Sequence, residues 1–212
     1  MENGQTGLML LQSSIFILTW VLFHQHISHT GPKPGASVVT KYNSRVYSFA
    51  SLVLLALILS PSHEGLSRSL FHTSKFYEYV DIFNVLASGG KISLHFGFHH
   101  STTPWFTFIR VLNHSEGWKW FASFNAFHHF LMYAYFGGWS YVRPILPWTG
   151  TLQLVVGIAA DIALIMRKRE TSLEPTWPNV FSGVILGTYL VLSTRELLQG
   201  AKDVEKHKTK SS

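Results

Sequence analysis

Charged residues are missing from five long stretches of this chain. No Asp, Glu, Lys or Arg lies from Asn3 to Pro32, Val46 to His63, Ile92 to Ile109, Trp120 to Val142, or Pro175 to Thr194. Such runs reach the roughly 18 residues that a helix needs to cross a bilayer. Lipid is therefore the solvent the sequence is written for. The 13% share of charged residues, against roughly 25% in soluble domains, agrees with this.

Two further segments complete the pattern. The run from Pro144 to Ala160 continues past Asp161 to Met166 and predicts a sixth span. From Leu66 to Ser88 the residues Leu70, Phe71, Tyr77, Val80, Phe83 and Leu86 are interrupted by Arg68, Lys75, Glu78 and Asp81, and this is counted as a seventh. The reading is an all-α membrane protein of about seven transmembrane helices. Residues 1–200 form a single polytopic membrane domain, and residues 201–212 a cytosolic basic tail. Mean hydropathy is only +0.18, so the helices must carry polar groups on faces turned away from lipid.

Net charge is +6, but the basic residues lie between the apolar runs or in the tail. They read as topology signals, and no nucleic-acid partner is expected. Lys33, Lys41 and Arg45 after the first span place the N-terminus outside the cytosol and the Lys-rich C-terminus inside it, although Arg167, Lys168 and Arg169 oppose that pattern. The first run follows an acidic Glu2 without a basic leader, which predicts a retained helix. The absence of cysteine excludes disulfides, thiol nucleophiles and thiolate-bound metals.

Histidines carry the chemistry. His95, His99 and His100 form H-x-x-x-H-H in one charge-free span, and His128 and His129 lie in the next. At about 100° per residue, His95 and His99 share a helix face, with His100 further round. Lys75, Glu78 and Asp81 recur every three residues and can face one side of their own helix. Counting about 1.5 Å per residue from each predicted cytosolic end puts Asp81, His95, His99, His100, His129 and Gln153 at comparable depths, in the cytosolic half and middle of the bilayer. Asn125 lies one turn before His129, while Tyr133 and Tyr135 lie between His129 and the cytosolic end.

The segments Ser74 to Asp81, Leu94 to His100 and Asn125 to Phe136 resemble, in order and spacing, the very-long-chain fatty acid elongases. That family's pattern is K-x-x-E-x-x-D-T, H-x-x-H-H, then N-x-x-x-H-x-x-M-Y-x-Y-Y and a Gln-containing helix. Here the first histidine stands four residues before the pair, Ile82 replaces Thr, Phe136 replaces the last Tyr, and Val156 stands where a second Gln is usual.

The resemblance implies a cavity for an acyl chain inside the helices and condensation of acyl-CoA with malonyl-CoA to a 3-oxoacyl-CoA two carbons longer. His99, His129, His95 and His100 would be catalytic, and Lys75, Glu78, Asp81, Asn125, Tyr133 and Gln153 would bind substrate. It implies no metal and no cofactor beyond the two CoA substrates. It further implies work alongside a 3-oxoacyl-CoA reductase, a 3-hydroxyacyl-CoA dehydratase and an enoyl-CoA reductase, and leaves a homodimer open. The ending Lys208-Thr209-Lys210-Ser211-Ser212 looks like the K-x-K-x-x retrieval signal of endoplasmic-reticulum membrane proteins.

Two rival readings share these residues. H-x-x-x-H-H also looks like one box of a di-iron desaturase or hydroxylase, since imidazole binds iron well, although the third box of such enzymes is missing. The four departures also fit an elongase-like lipid-binding protein without catalysis.

Overall fold

The computed structural model describes residues 3–171 and 175–210, with side chains described over 4–170 and 175–200. In chain order the helices are α1 (Asn3–Thr30), α2 (Ala36–Leu59), α3 (Glu64–Tyr77), α4 (Tyr79–Ala87), α5 (Leu94–Thr107), α6 (Trp118–Phe136), α7 (Leu146–Thr171) and α8 (Trp177–Lys210). Short 3-10 turns at Pro61–His63 and Ser140–Ile145 lead into α3 and α7, and a π-helical segment, Phe108–Asn113, continues α5. No strand occurs among the described residues. The side chains of the basic tail, Lys208 and Lys210 included, and the whole of Ser211 and Ser212 lie outside what is described.

Four segments are long and apolar enough to cross a membrane: Gly4–Thr30, Ala36–Leu59, Ser140–Glu170 and Trp177–Gly200. The other three predicted spans take a different form, and the reason lies in their polar residues. The stretch from Leu66 to Ser88 is two helices meeting at Glu78, where the amide of Asp81 bonds only three residues back to the Glu78 carbonyl, at 3.1 Å. The stretch from Ile92 begins its helix at Leu94, capped by the Ser93 hydroxyl. It then widens into the π-helical segment after Pro104, whose ring and missing N–H disturb an α-helical ladder. α6 gives up apolar positions to Asn125, His128 and His129.

α2 packs along α6, α6 against α7, and α7 against α8, while α1 lies on α4 and α5. On α2, Ser44, Tyr47, Ser48 and Ser51 are buried at spacings of three and four. The three serines let the α2 and α6 backbones approach, and the Ser48 hydroxyl donates to the Phe130 carbonyl at 2.9 Å. By contrast Leu8, Leu11, Leu18, Leu22, Val39 and Phe49 point outward and remain exposed, as a lipid-facing surface requires.

Inside, Ile58, Phe71, Phe106, Trp118, Phe121, Leu154 and Leu186 form an apolar layer. Beside it, a polar tie closes one end of the bundle. Arg110 of the π-helical segment donates to Asp161 Oδ1 of α7 at 2.7 Å, Asn179 of α8 donates to the same oxygen at 2.8 Å, and Ser182 bonds Asp161 Oδ2. Nearby, Glu116 pairs with Arg167 and with Lys168, two members of the basic triplet that opposed the charge-based orientation. Gly117, at φ +68, makes the turn into α6 in a conformation that side chains disfavour.

Candidate functional site

The α3–α4 junction aims Lys75 and Glu78 into the bundle. Lys75 is 2% exposed and Glu78 fully buried. A charge so placed needs partners, and the Lys75 ammonium donates to Glu78 Oε1 at 2.6 Å and to Asn125 Oδ1 at 2.8 Å. It also lies 4.6 Å from the centre of the Phe71 ring, so the polar cluster begins one helical turn from the apolar layer.

Asn125 passes the network on. Its Nδ2 donates to Gln153 Oε1 at 2.8 Å, which ties α3, α6 and α7 together through three side chains. His129, one turn after Asn125 on α6, sets Nδ1 3.4 Å from Glu78 Oε1. From α5, His99 reaches the same place, so that Glu78, His99 and His129 each offer an atom within 4.8 Å of the others. Glu78 Oε2 and His100 Nδ1 are buried with no hydrogen-bond partner among the described residues. Both are polar atoms that a ligand can satisfy, each able to accept a hydrogen bond.

A second group adjoins the first. Tyr133 donates to Asp81 Oδ2, and its ring stands edge-on to Tyr47 at 4.4 Å and 5.6 Å from the His129 ring. Tyr47 donates to the Ser74 carbonyl at 3.0 Å and lies 3.5 Å from Glu78 Oε1. Asp81 therefore orients a phenol. Of the two acids, Glu78 is the one beside an imidazole, that of His129.

Most of the predicted residues thus converge: Lys75, Glu78, Asn125, His99, His129 and Gln153 directly, with His100 beside His99 at 5.3 Å between rings, and Asp81 and Tyr133 alongside. His95 sits apart. Its Nδ1 lies 3.7 Å from Glu196 Oε2 on α8, with the His99 ring 6.0 Å away. His128 turns to the Thr149 hydroxyl at 2.9 Å.

Four contributors were not anticipated: Tyr47, Thr103, Tyr189 and Glu196. The Tyr189 ring packs edge-on to His99 at 4.7 Å, while its hydroxyl bonds Thr102 at 2.7 Å and lies 3.2 Å from Thr103 Oγ1. Tyr189 interrupts an apolar run and Tyr47 follows a basic cluster, so neither spacing distinguishes a site residue from ordinary aromatic packing.

The long apolar helices and the buried polar centre define a multi-pass helical membrane protein with histidines and charged side chains gathered in its interior. Comparison with protein families matches residues 7–208 to the family described as ELO: GNS1/SUR4. The chain belongs to that family, the fatty acid elongases, and its function is of the fatty acid elongation type. No individual curated protein and no solved structure matches it.

Proposed function

We propose that the protein catalyses decarboxylative condensation of a long-chain acyl-CoA with malonyl-CoA in the endoplasmic-reticulum membrane, its C-terminus cytosolic. The observation that carries this reading is the meeting of His99, His129 and Glu78 within 4.8 Å, against the Lys75–Asn125–Gln153 chain.

In the first half-reaction a His99 ring nitrogen attacks the thioester carbonyl. The carbon–sulfur bond breaks, and the imidazole N–H proton leaves with the CoA thiolate as CoA thiol. An acyl-imidazole remains, and the buried groups around it limit the access of water to its carbonyl. In the second, malonyl-CoA loses carbon dioxide, and the electrons of the broken carbon–carbon bond form an enolate. The enolate carbon attacks the acyl carbonyl, the carbon–nitrogen bond breaks, and the 3-oxoacyl-CoA leaves His99 short of one proton.

His129 is held by Glu78 at the position where negative charge develops, and preorganised donors there are worth more than in water. Asn125, Gln153 and His100 serve the same oxyanions. Lys75 attracts the malonyl carboxylate, and Tyr133 with Asp81 forms the wall facing it. The reaction needs no metal or further cofactor. Its product then passes to the reductase, dehydratase and second reductase that complete a two-carbon extension.

The test uses purified protein in detergent with a panel of acyl-CoAs. Without malonyl-CoA, intact mass shows one acyl group added to the wild type and none to His99→Ala. With labelled malonyl-CoA, the wild type yields labelled 3-oxoacyl-CoA, and His99→Ala or His129→Ala yields none. Undiminished condensation in both variants sinks the proposal.

A further inference from the structure

Turnover leaves His99 short of a proton, and the site that holds it lies between the helices, against the buried Glu78 and His129. Acyl-CoA plus malonyl-CoA gives a 3-oxoacyl-CoA, CoA thiol and carbon dioxide only if one proton enters per cycle. In the proposed condensation that proton ends on the His99 imidazolate released when the carbon–nitrogen bond breaks. A route from solvent to His99 is therefore a chemical requirement of the proposed function.

One chain of titratable groups leads outward from His99. His95 stands one turn earlier on α5, with its ring centre 6.0 Å from that of His99. A small ring rotation or one bridging water spans that gap. His95 Nδ1 lies 3.7 Å from Glu196 Oε2, their side chains 26% and 37% exposed, with Glu196 close to the end of the apolar part of α8; His99, also part-exposed, stands further in, beside the buried Glu78 and His129. The groups facing His95 are Glu196 and Tyr189 from α8 and, on its own helix, His99 and His100. Tyr189 packs on His95 and His99 alike, at 6.5 and 4.7 Å, which holds the two imidazoles on one side of the helix.

The departure in spacing gains a meaning here. A first histidine four residues before the pair shares a face with His99, and on that face it meets α8 outside the Lys75 cluster. Resting on the proposed condensation, we infer that Glu196 and His95 form a proton inlet that returns one proton per turnover from solvent to His99. Glu196 takes the proton from water, His95 accepts it at one ring nitrogen and gives up the proton on the other, and His99 is restored to neutral imidazole. Neither residue touches substrate; both act through His99.

Glu196 also accepts from the His95 backbone amide at 3.2 Å, satisfying a free donor in the first turn of α5. The experiment must separate this capping contact from proton transfer. Glu196→Gln does so, because its amide oxygen still accepts from the His95 amide while the ionisable group is gone. His95→Gln is the second variant, should the first lower the yield of folded protein.

Formation of the acyl adduct without malonyl-CoA needs no outside proton. Single-turnover acylation in both variants is expected within about twofold of wild type. Condensation turnover is expected to fall at least roughly tenfold, the low end for a displaced proton-transfer group. It should fall further as pH rises and recover in part with small weak acids such as formate, with KM for acyl-CoA unchanged. If acylation and condensation fall equally and independently of pH, the role is structural and the inlet is wrong. If neither falls, the inlet is wrong as well. A wild type that forms no acyl adduct and no condensed product overturns the proposed function, and the inlet with it.

Discussion

The Lys75 ammonium and the Glu78 carboxylate face each other at 2.6 Å, their side chains 2% and 1% exposed. A pair this dry is held by its remaining bonds, because each ion has lost its water. Removing Lys75 alone strands the Glu78 charge. Lys75→Met is therefore expected to destabilise the protein by about 3–5 kcal/mol and to stop condensation. The double variant Lys75→Met with Glu78→Gln is expected to regain much of the stability and none of the activity. Thermal unfolding in detergent beside the labelled malonyl-CoA assay checks both, and a double variant no more stable than the single one contradicts the argument.

Asp161 carries a different burden. It accepts from Arg110, Asn179 and Ser182, joining the π-helical segment to α7 and α8, and it touches none of the groups assigned to chemistry. Asp161→Ala leaves the Arg110 guanidinium buried without its counter-ion, at a cost of about 3–5 kcal/mol. The expected result is a lower melting temperature and a smaller folded yield, with wild-type turnover per folded molecule. A selective loss of turnover without loss of stability would assign Asp161 to the site instead.

These two cases mark what was legible in the sequence. Lys75, Glu78, Asn125, His129 and Gln153 were readable because intramembrane polar groups need partners and helical spacing says which of them share a face. A depth count along separate helices put His129 and Gln153 level with Asp81 and His99. Three things were not readable. The helix break at Glu78 depends on local hydrogen bonding at one junction. The pairing of Asp161 with Arg110 depends on the widened turn after Pro104. The placement of Tyr47 and Tyr189 depends on which face of α2 and α8 meets the site. Asp161 was read only as an acid within the sixth span, and the fold supplied its partner in Arg110. His95 was read as a member of the cluster, and in the fold it pairs from α5 with Glu196 of α8.

Glu78, His99 and His129 are close enough to bind one metal ion, as the histidine-box reading would ask. The Lys75 ammonium already occupies the Glu78 oxygen shared with His129, and its positive charge opposes a second cation at that point. Condensation is therefore expected to survive dialysis against a chelator, with substoichiometric metal in the purified active protein by elemental analysis. Activity lost to the chelator and restored by iron would instead establish a metal enzyme.

The Asn125 amide has its orientation dictated by its neighbours. Lys75 can only donate, so the oxygen of Asn125 must face it, and the Nδ2 group is left to donate to Gln153 Oε1 at 2.8 Å. Gln153→Leu removes that acceptor and leaves a buried donor unpaired, at a cost of about 1–3 kcal/mol. Turnover is expected to drop because the amide loses the bond that fixes its plane. Asn125→Leu is expected to be worse, since the unpaired group is then the charged Lys75. Asn125→Asp keeps an oxygen toward Lys75, and Gln153 can rotate its amide to donate to the other oxygen, so this variant is expected to stay closest to wild type in melting temperature. Ranking the three by thermal unfolding and by condensation rate tests the chain from Lys75 to Gln153. An order in which Asn125→Asp is the most damaging would show that charge balance around Lys75, rather than its hydrogen bonding, governs the site.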